Sequence, residues 1–176
     1  MTSDLLFALS GAIVLFVLSS AGSLIGTSIA ASAAIGAWKK NFAQNKPASF
    51  AMVAYIGMTM TNSLYGMILM FVIIGQKNPM VEGSGIALFA LCVIVGLAIG
   101  LAAVVQARAA AAACDAYGET GQGLTNNLTA IGIIEGVTMF IVAFSLVVFG
   151  NFFPKPEAAT AAVEATATVI ETVTGD

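Results

Sequence analysis

Long apolar runs dominate the sequence and are separated by short polar stretches. Four runs cover about residues 5–38, 47–75, 84–113 and 124–153. Each exceeds the roughly 20 residues that an α-helix needs to cross a bilayer. Because short connections join antiparallel neighbours, the pattern predicts an all-α membrane protein with four transmembrane helices arranged as two helical hairpins.

Prolines mark the expected ends of two of these helices. Pro47 fits the first turn of the second helix, and Pro154 and Pro156 close the fourth. The chain then divides into a first hairpin (1–78), a second hairpin (79–153) and a C-terminal tail (154–176). The tail is rich in Thr and Ala with few large apolar residues, so we expect it to be weakly ordered.

The composition excludes a water-soluble domain. Of the 176 residues, 59% are hydrophobic and only 9% are charged, whereas a soluble domain carries about 25% charged residues. The net charge is −3, and no basic patch indicates binding to nucleic acid. The chain has no histidine, which excludes catalysis or metal binding by that residue.

The lysines predict an orientation in the membrane. Lys39, Lys40 and Lys46 lie in the first loop (39–46), whereas the second loop has Lys77 alone. Basic residues favour the cytoplasmic side. We therefore expect a multi-pass protein whose loops 39–46 and 114–123 are cytoplasmic and whose two termini lie on the other side.

Glu135 is the only charged residue between Glu119 and Lys155, and it lies within the fourth apolar run. A charge at mid-membrane depth costs about 3 kcal/mol or more, and such residues usually belong to an ion path, a proton relay or a substrate site. The alternative is a structural ion pair with Arg108. We expect Arg108 instead to extend toward the cytoplasmic rim or to line an interior surface.

The two halves of the sequence repeat one pattern. Gly22 and Gly26 in the first run correspond to Gly96 and Gly100 in the third. Glycines four residues apart let helix backbones approach closely in lipid. Both hairpins would have the same orientation, so the repeat is parallel rather than inverted.

The second and fourth runs also correspond, but they differ at one position. The stretches TNSLYGMILMFVIIG and GVTMFIVAFSLVVFG end at Gly75 and Gly150, and this alignment places Met60 opposite Glu135. The two hairpins together therefore have one carboxylate within their four apolar runs, in the second hairpin.

This arrangement resembles the membrane-ring proteolipid, the c or K subunit, of V-type and A-type rotary ATPases. The resemblance covers about residues 5–153 and includes the segment MTMTNSLYG, which is similar to the family's LPGTQGLYG-like motif. Thr61 and Tyr65 match that motif, while Thr59 replaces its proline and Asn62 its glutamine.

The third run supplies one further match. The stretch VVQARAAAA is similar to the family's AQGKVAAAG-like segment, and Gln106 matches the polar ligand of sodium-type rings. Arg108 lies where a lysine can occur.

The resemblance implies a rotor and its partners. Copies would form a homo-oligomeric ring in the bilayer, with the first and third helices inside. Each copy would carry an ion past a stator subunit that has an essential arginine. Central-stalk subunits would couple the rotation to ATP hydrolysis or synthesis elsewhere, so this chain would be a non-catalytic subunit.

The resemblance also implies a cation site centred on Glu135. Its expected oxygen ligands are the Glu135 carboxylate, the Thr61 hydroxyl, the Asn62 and Gln106 amide oxygens and the Met58 backbone carbonyl, with Tyr65 orienting Glu135. Hard cations prefer such oxygen shells, whereas a proton needs only the carboxylate. The set favours Na⁺ as the transported ion, with H⁺ as the alternative.

A second class of function is a small four-helix multidrug/H⁺ antiporter. Such a protein can also depend on one membrane glutamate. That carboxylate would be expected in the first helix, which has no charge within its apolar run here. The parallel repeat would also be unexplained, so the rotor is the preferred interpretation.

Overall fold

The structure is a computed structural model that describes residues 3–77 and 79–154, and regular structure within these ranges is entirely helical. The helices are α1 (Ser3–Ala43), α2 (Met52–Met58), α3 (Thr61–Ile74), α4 (Gly85–Thr120) and α5 (Leu124–Gly150). Since α2 and α3 form one apolar stretch, four segments are long and apolar enough to cross a membrane. The predicted all-α class with four potential spans is confirmed. The predicted tail, apart from Pro154, lies outside the described residues.

Helices α1 and α4 form the centre of the bundle and run parallel to each other. Near one end Gly11 lies against Phe89, and near the other end Ala37 lies against Gly118. Helix α3 packs on α1, where Gly66 lies against Ser19. Helix α5 packs mainly on α4. The second span, formed by α2 and α3, and the fourth span, formed by α5, are less buried than α1 and α4.

The closest approach of α1 to α4 occurs at Gly22. A Cβ atom added there would lie 2.2 Å from the carbonyl oxygen of Gly100 and 2.3 Å from its Cα. At Gly26 the same addition would come within 2.8 Å of the Ala103 carbonyl oxygen. These glycines pack backbone against backbone, which is the close approach that the small-residue spacing predicted.

The buried interior consists of two apolar clusters with polar side chains between them. One cluster includes Leu15, Leu69 and Phe149, and the other includes Tyr55 and Ile131. The residues between them, named here the polar belt, are buried and hydrophilic: Ser19, Ser23, Thr59, Asn62, Gln106 and Thr138. Buried polar groups are costly unless they are hydrogen-bonded, so the belt marks the part of the bundle where chemistry is concentrated.

The connection after α1 differs from the sequence prediction. α1 continues to Ala43, so the first part of the predicted loop 39–46 is helical. The next helix begins at Met52 rather than near Pro47. The Trp38 indole donates to the Ser49 carbonyl (2.9 Å) and the Ser49 hydroxyl accepts the Ala51 N–H (3.3 Å). These bonds hold the backbone after Pro47 outside a helix.

The predicted loop 114–123 is also mostly helical. α4 continues to Thr120 because Gly118 packs on Ala37 and Glu119 pairs with Lys40 of α1. The helix ends at Gly121, whose φ of 66° suits glycine. The sequence predicts a loop from residue 114, but the partners of these residues on α1 support about two further turns of helix.

Candidate functional site

Glu135 lies near the middle of α5 and is partly buried. The Tyr65 hydroxyl of α3 donates to its Oε1 at 2.7 Å, and the Gln106 side-chain nitrogen of α4 donates to its Oε2 at 3.5 Å. Both oxygens of the carboxylate therefore have a donor, one of them close and one distant. Hydrogen bonds to a charged group are stronger than neutral ones, so Tyr65 fixes the direction of this side chain.

A pair of fully buried amides lies behind the carboxylate. The Asn62 Nδ2 group donates to Gln106 Oε1 at 2.7 Å, and Gln106 in turn contacts Glu135. The Asn62 Oδ1 atom is buried and has no hydrogen-bond partner among the described residues. An unpaired buried acceptor costs about 1–3 kcal/mol. The site thus contains one oxygen whose bonding capacity the protein itself does not use.

The second span is interrupted next to this site, between α2 and α3. The N–H groups of Thr59, Met60 and Ser63 bond to carbonyls three residues earlier, which is the tighter pattern of a 3₁₀ turn. The Thr61 hydroxyl donates to the Met58 carbonyl at 2.8 Å. This local change in backbone geometry directly precedes Asn62.

The structure thus joins four of the six predicted site residues in one network. Asn62, Tyr65, Gln106 and Glu135 are linked by hydrogen bonds across three helices. The other two, Thr61 and Met58, bond to each other at the interruption; within the described residues no hydrogen bond joins them to Glu135.

Arg108 does not take part in this network. It lies on the exposed side of α4, and the one ion pair within residues 3–77 and 79–154 joins Lys40 to Glu119. The alternative in which Arg108 neutralises Glu135 as a structural pair is therefore not the arrangement of this structure.

Sequence reasoning missed a set of hydroxyl groups on the other side of the interruption. The Thr27 and Thr59 hydroxyls are 3.0 Å apart, and the Ser20 and Ser63 hydroxyls are 2.7 Å apart. Ser20 and Thr27 are seven residues apart, which places them on one face of α1. This spacing is the feature of the sequence from which a hydroxyl-bearing helix face could have been predicted. The hydroxyls tie α1 to the residues that shape the interruption.

Comparison with protein-family models and with curated proteins returns no match for this sequence. The functional assignment accordingly depends on the residues and contacts described above.

Proposed function

We propose that this chain is an ion-carrying rotor-ring subunit of a V-type or A-type ATPase and that it carries Na⁺ on Glu135. The observation that supports the proposal most directly is the hydrogen-bonded group of Tyr65, Gln106 and Glu135 beside the unpartnered Asn62 oxygen. A lone carboxylate in a membrane span must be neutralised to cross lipid. A bound monovalent cation does so.

The amide pair of Asn62 and Gln106 explains how the same site could stabilise Glu135 both without a bound ion and with one. Gln106 presents its N–H group to Glu135 and its oxygen to Asn62, which suits an ion-free carboxylate because that group only accepts hydrogen bonds. Rotating both amides exchanges their oxygen and nitrogen. Gln106 then offers its oxygen toward Glu135 and donates its N–H to Asn62 Oδ1, the acceptor that is otherwise unpaired. The carboxylate thereby gains the oxygen-rich environment that Na⁺ requires.

Assembly into a ring follows from the same proposal. The α1–α4 pair would form the inner layer, and α3 and α5 the outer layer that brings Glu135 to the stator arginine. The lysine-rich end of α1 would be cytoplasmic, facing the central-stalk subunits, with both termini on the opposite side. ATP hydrolysis or synthesis would occur on other subunits, so this chain is assigned no catalytic step of its own.

Na⁺ should protect Glu135 from chemical modification. We expect a hydrophobic carbodiimide to label Glu135 in the purified protein, and Na⁺ at constant pH to slow the labelling because the cation occupies the carboxylate. K⁺ at equal ionic strength is the control, and mass spectrometry of the α5 peptide is the measurement. Labelling rates that respond to pH but not to Na⁺ would show that the transported ion is H⁺.

The detergent-solubilised protein should be a large homo-oligomer. Light scattering coupled to size exclusion is expected to give a mass many times the 17.9 kDa of one chain. The proposed rotor requires many copies side by side, and each copy leaves large apolar side chains exposed on α1, α3, α4 and α5. A stable monomer or dimer in several mild detergents would contradict the ring.

A further inference from the structure

Thr59 lies at the interruption of the second span and is fully buried. Its hydroxyl donates to the Ile56 carbonyl at 2.8 Å and lies 3.0 Å from the Thr27 hydroxyl of α1. A hydroxyl has only one hydrogen to donate. Because Thr59 uses its hydrogen on Ile56, Thr27 must be the donor in the contact between the two threonines. The interruption is thereby anchored to the central helix of the bundle.

The bond from Thr59 to Ile56 coincides with a change in backbone geometry. A threonine hydroxyl that bonds to a carbonyl in the preceding turn competes with the regular helical pattern and bends the helix. The i→i−3 bonds of Thr59 and Met60 occur at the same place. No proline or glycine lies at the two interrupting positions. Similar bonds from Ser19 and Ser28 leave α1 unbroken, so what distinguishes Thr59 is that its hydroxyl is also held by Thr27 of another helix.

The break determines where the second span presents its oxygens. It ends α2 at Met58, whose carbonyl accepts the Thr61 hydroxyl, and it starts α3 so that Asn62 reaches Gln106. A continuous helix through these residues would rotate Asn62 relative to Met58. The side of the site formed by the second span therefore depends on the geometry at Thr59.

We propose that Thr59, anchored by Thr27, is a positioning residue that sets the cation affinity of the Glu135 site. Thr59 acts through the backbone and through Asn62, and it does not itself contact Glu135. The inference rests on the proposed function, because it assigns the residue to the same cation site. Residues that orient the ligands of a metal ion typically alter its affinity about 10–100-fold when replaced.

The same helix contact supplies a matched control. Ser63 also bonds to α1 through its hydroxyl, to Ser20 at 2.7 Å, but its side chain makes no bond to the backbone at the break. If the threonine pair serves only to hold α1 against the second span, then Thr59→Val and Ser63→Ala should have similar effects. If Thr59 positions the site, only Thr59→Val should weaken cation binding.

The experiment measures the Na⁺ concentration that halves carbodiimide labelling of Glu135 at constant pH in the full-length oligomer. We expect Thr59→Val to raise this concentration about tenfold or more, Thr59→Ser to restore it, and Ser63→Ala to leave it unchanged. Thr27→Val should change it in the same direction as Thr59→Val. The Thr27→Val variant also provides a second test if Thr59→Val fails to assemble.

Three results would overturn the inference in different ways. Unchanged Na⁺ protection in both Thr59→Val and Thr27→Val, with protection intact in the unmodified protein, would reject the role of Thr59 alone. An equal loss of Na⁺ protection in Ser63→Ala would show that Thr59 only helps to pack the second span against α1. Absence of Na⁺ protection in the unmodified protein would instead reject the sodium site, and the positioning role with it.

Discussion

If Glu135 carries Na⁺ as proposed, replacing it with Gln is expected to abolish Na⁺ binding while leaving the fold intact. Gln has nearly the same shape and can still accept the hydrogen bond from Tyr65, which lies 2.7 Å from the carboxylate. The cation would then be surrounded only by neutral oxygens. Removing one partner of a desolvated charge pair costs about 3–5 kcal/mol, and about 3 kcal/mol corresponds to more than a hundredfold in affinity.

Isothermal titration with NaCl in detergent measures this loss of Na⁺ binding. Ion uptake by vesicles that contain the proposed ATPase complex tests whether transport is lost as well. Glu119→Gln is the matched control, because Glu119 is an exposed carboxylate that pairs with Lys40 at the far end of α4. An exposed ion pair contributes little, so this variant should bind Na⁺ normally. Retained binding in Glu135→Gln, or an equal loss in Glu119→Gln, would contradict the assignment of the site.

The features that sequence reasoning predicted are those set by local pattern. Run length and low charge identify the four spans, because a bilayer fixes how many apolar residues a helix needs. Glu135 stands out since no other charge occurs in its run. Tyr65 and Gln106 were found through a resemblance between short segments, and the structure brings both to the carboxylate. The cation itself remains a prediction.

The features that were missed depend on tertiary contacts. The break between α2 and α3 lies at a threonine whose hydroxyl is bonded to the backbone and to Thr27, and hydropathy cannot reveal these contacts. The extra turns of α4 depend on Lys40 and Ala37 of another helix. The bond between Asn62 and Gln106 depends on how α3 and α4 are rotated relative to each other. None of these is encoded in periodicity along one segment.

The position of the polar belt explains how such a site can be kept in a stable bundle. Apolar clusters lie on both sides of it, one containing Leu69 and Phe149 and the other Tyr55 and Ile131. Those clusters and the α1–α4 contact stabilise the helices. The belt can therefore retain an unpaired oxygen at Asn62 and an interruption at Thr59 that would be costly in isolation.

Gly22→Ala is expected to be strongly destabilising, because a Cβ at this position would lie 2.2 Å from the Gly100 carbonyl oxygen and 2.5 Å from its carbonyl carbon. These are backbone atoms, which cannot rotate away as a flexible side chain could. Overpacking costs about 1–3 kcal/mol and occasionally more, and alanine recovers only about 1 kcal/mol in helix propensity. Because the 2.2 Å contact is with backbone, the upper end of the overpacking cost applies, and we expect a net loss of about 2 kcal/mol in the free energy of unfolding.

Gly36→Ala separates this steric effect from the general effect of removing a glycine. Gly36 lies in the same helix α1, but a Cβ there meets nothing within 4 Å, so the substitution should be neutral or slightly stabilising. Both variants can be compared by titrating the detergent-solubilised protein with SDS and following helicity by circular dichroism. If Gly22→Ala unfolds at the same SDS fraction as Gly36→Ala, then α1 and α4 do not pack backbone against backbone. The central pair would in that case have room to move apart, and the proposed rotor would lack the structural basis for a rigid inner layer.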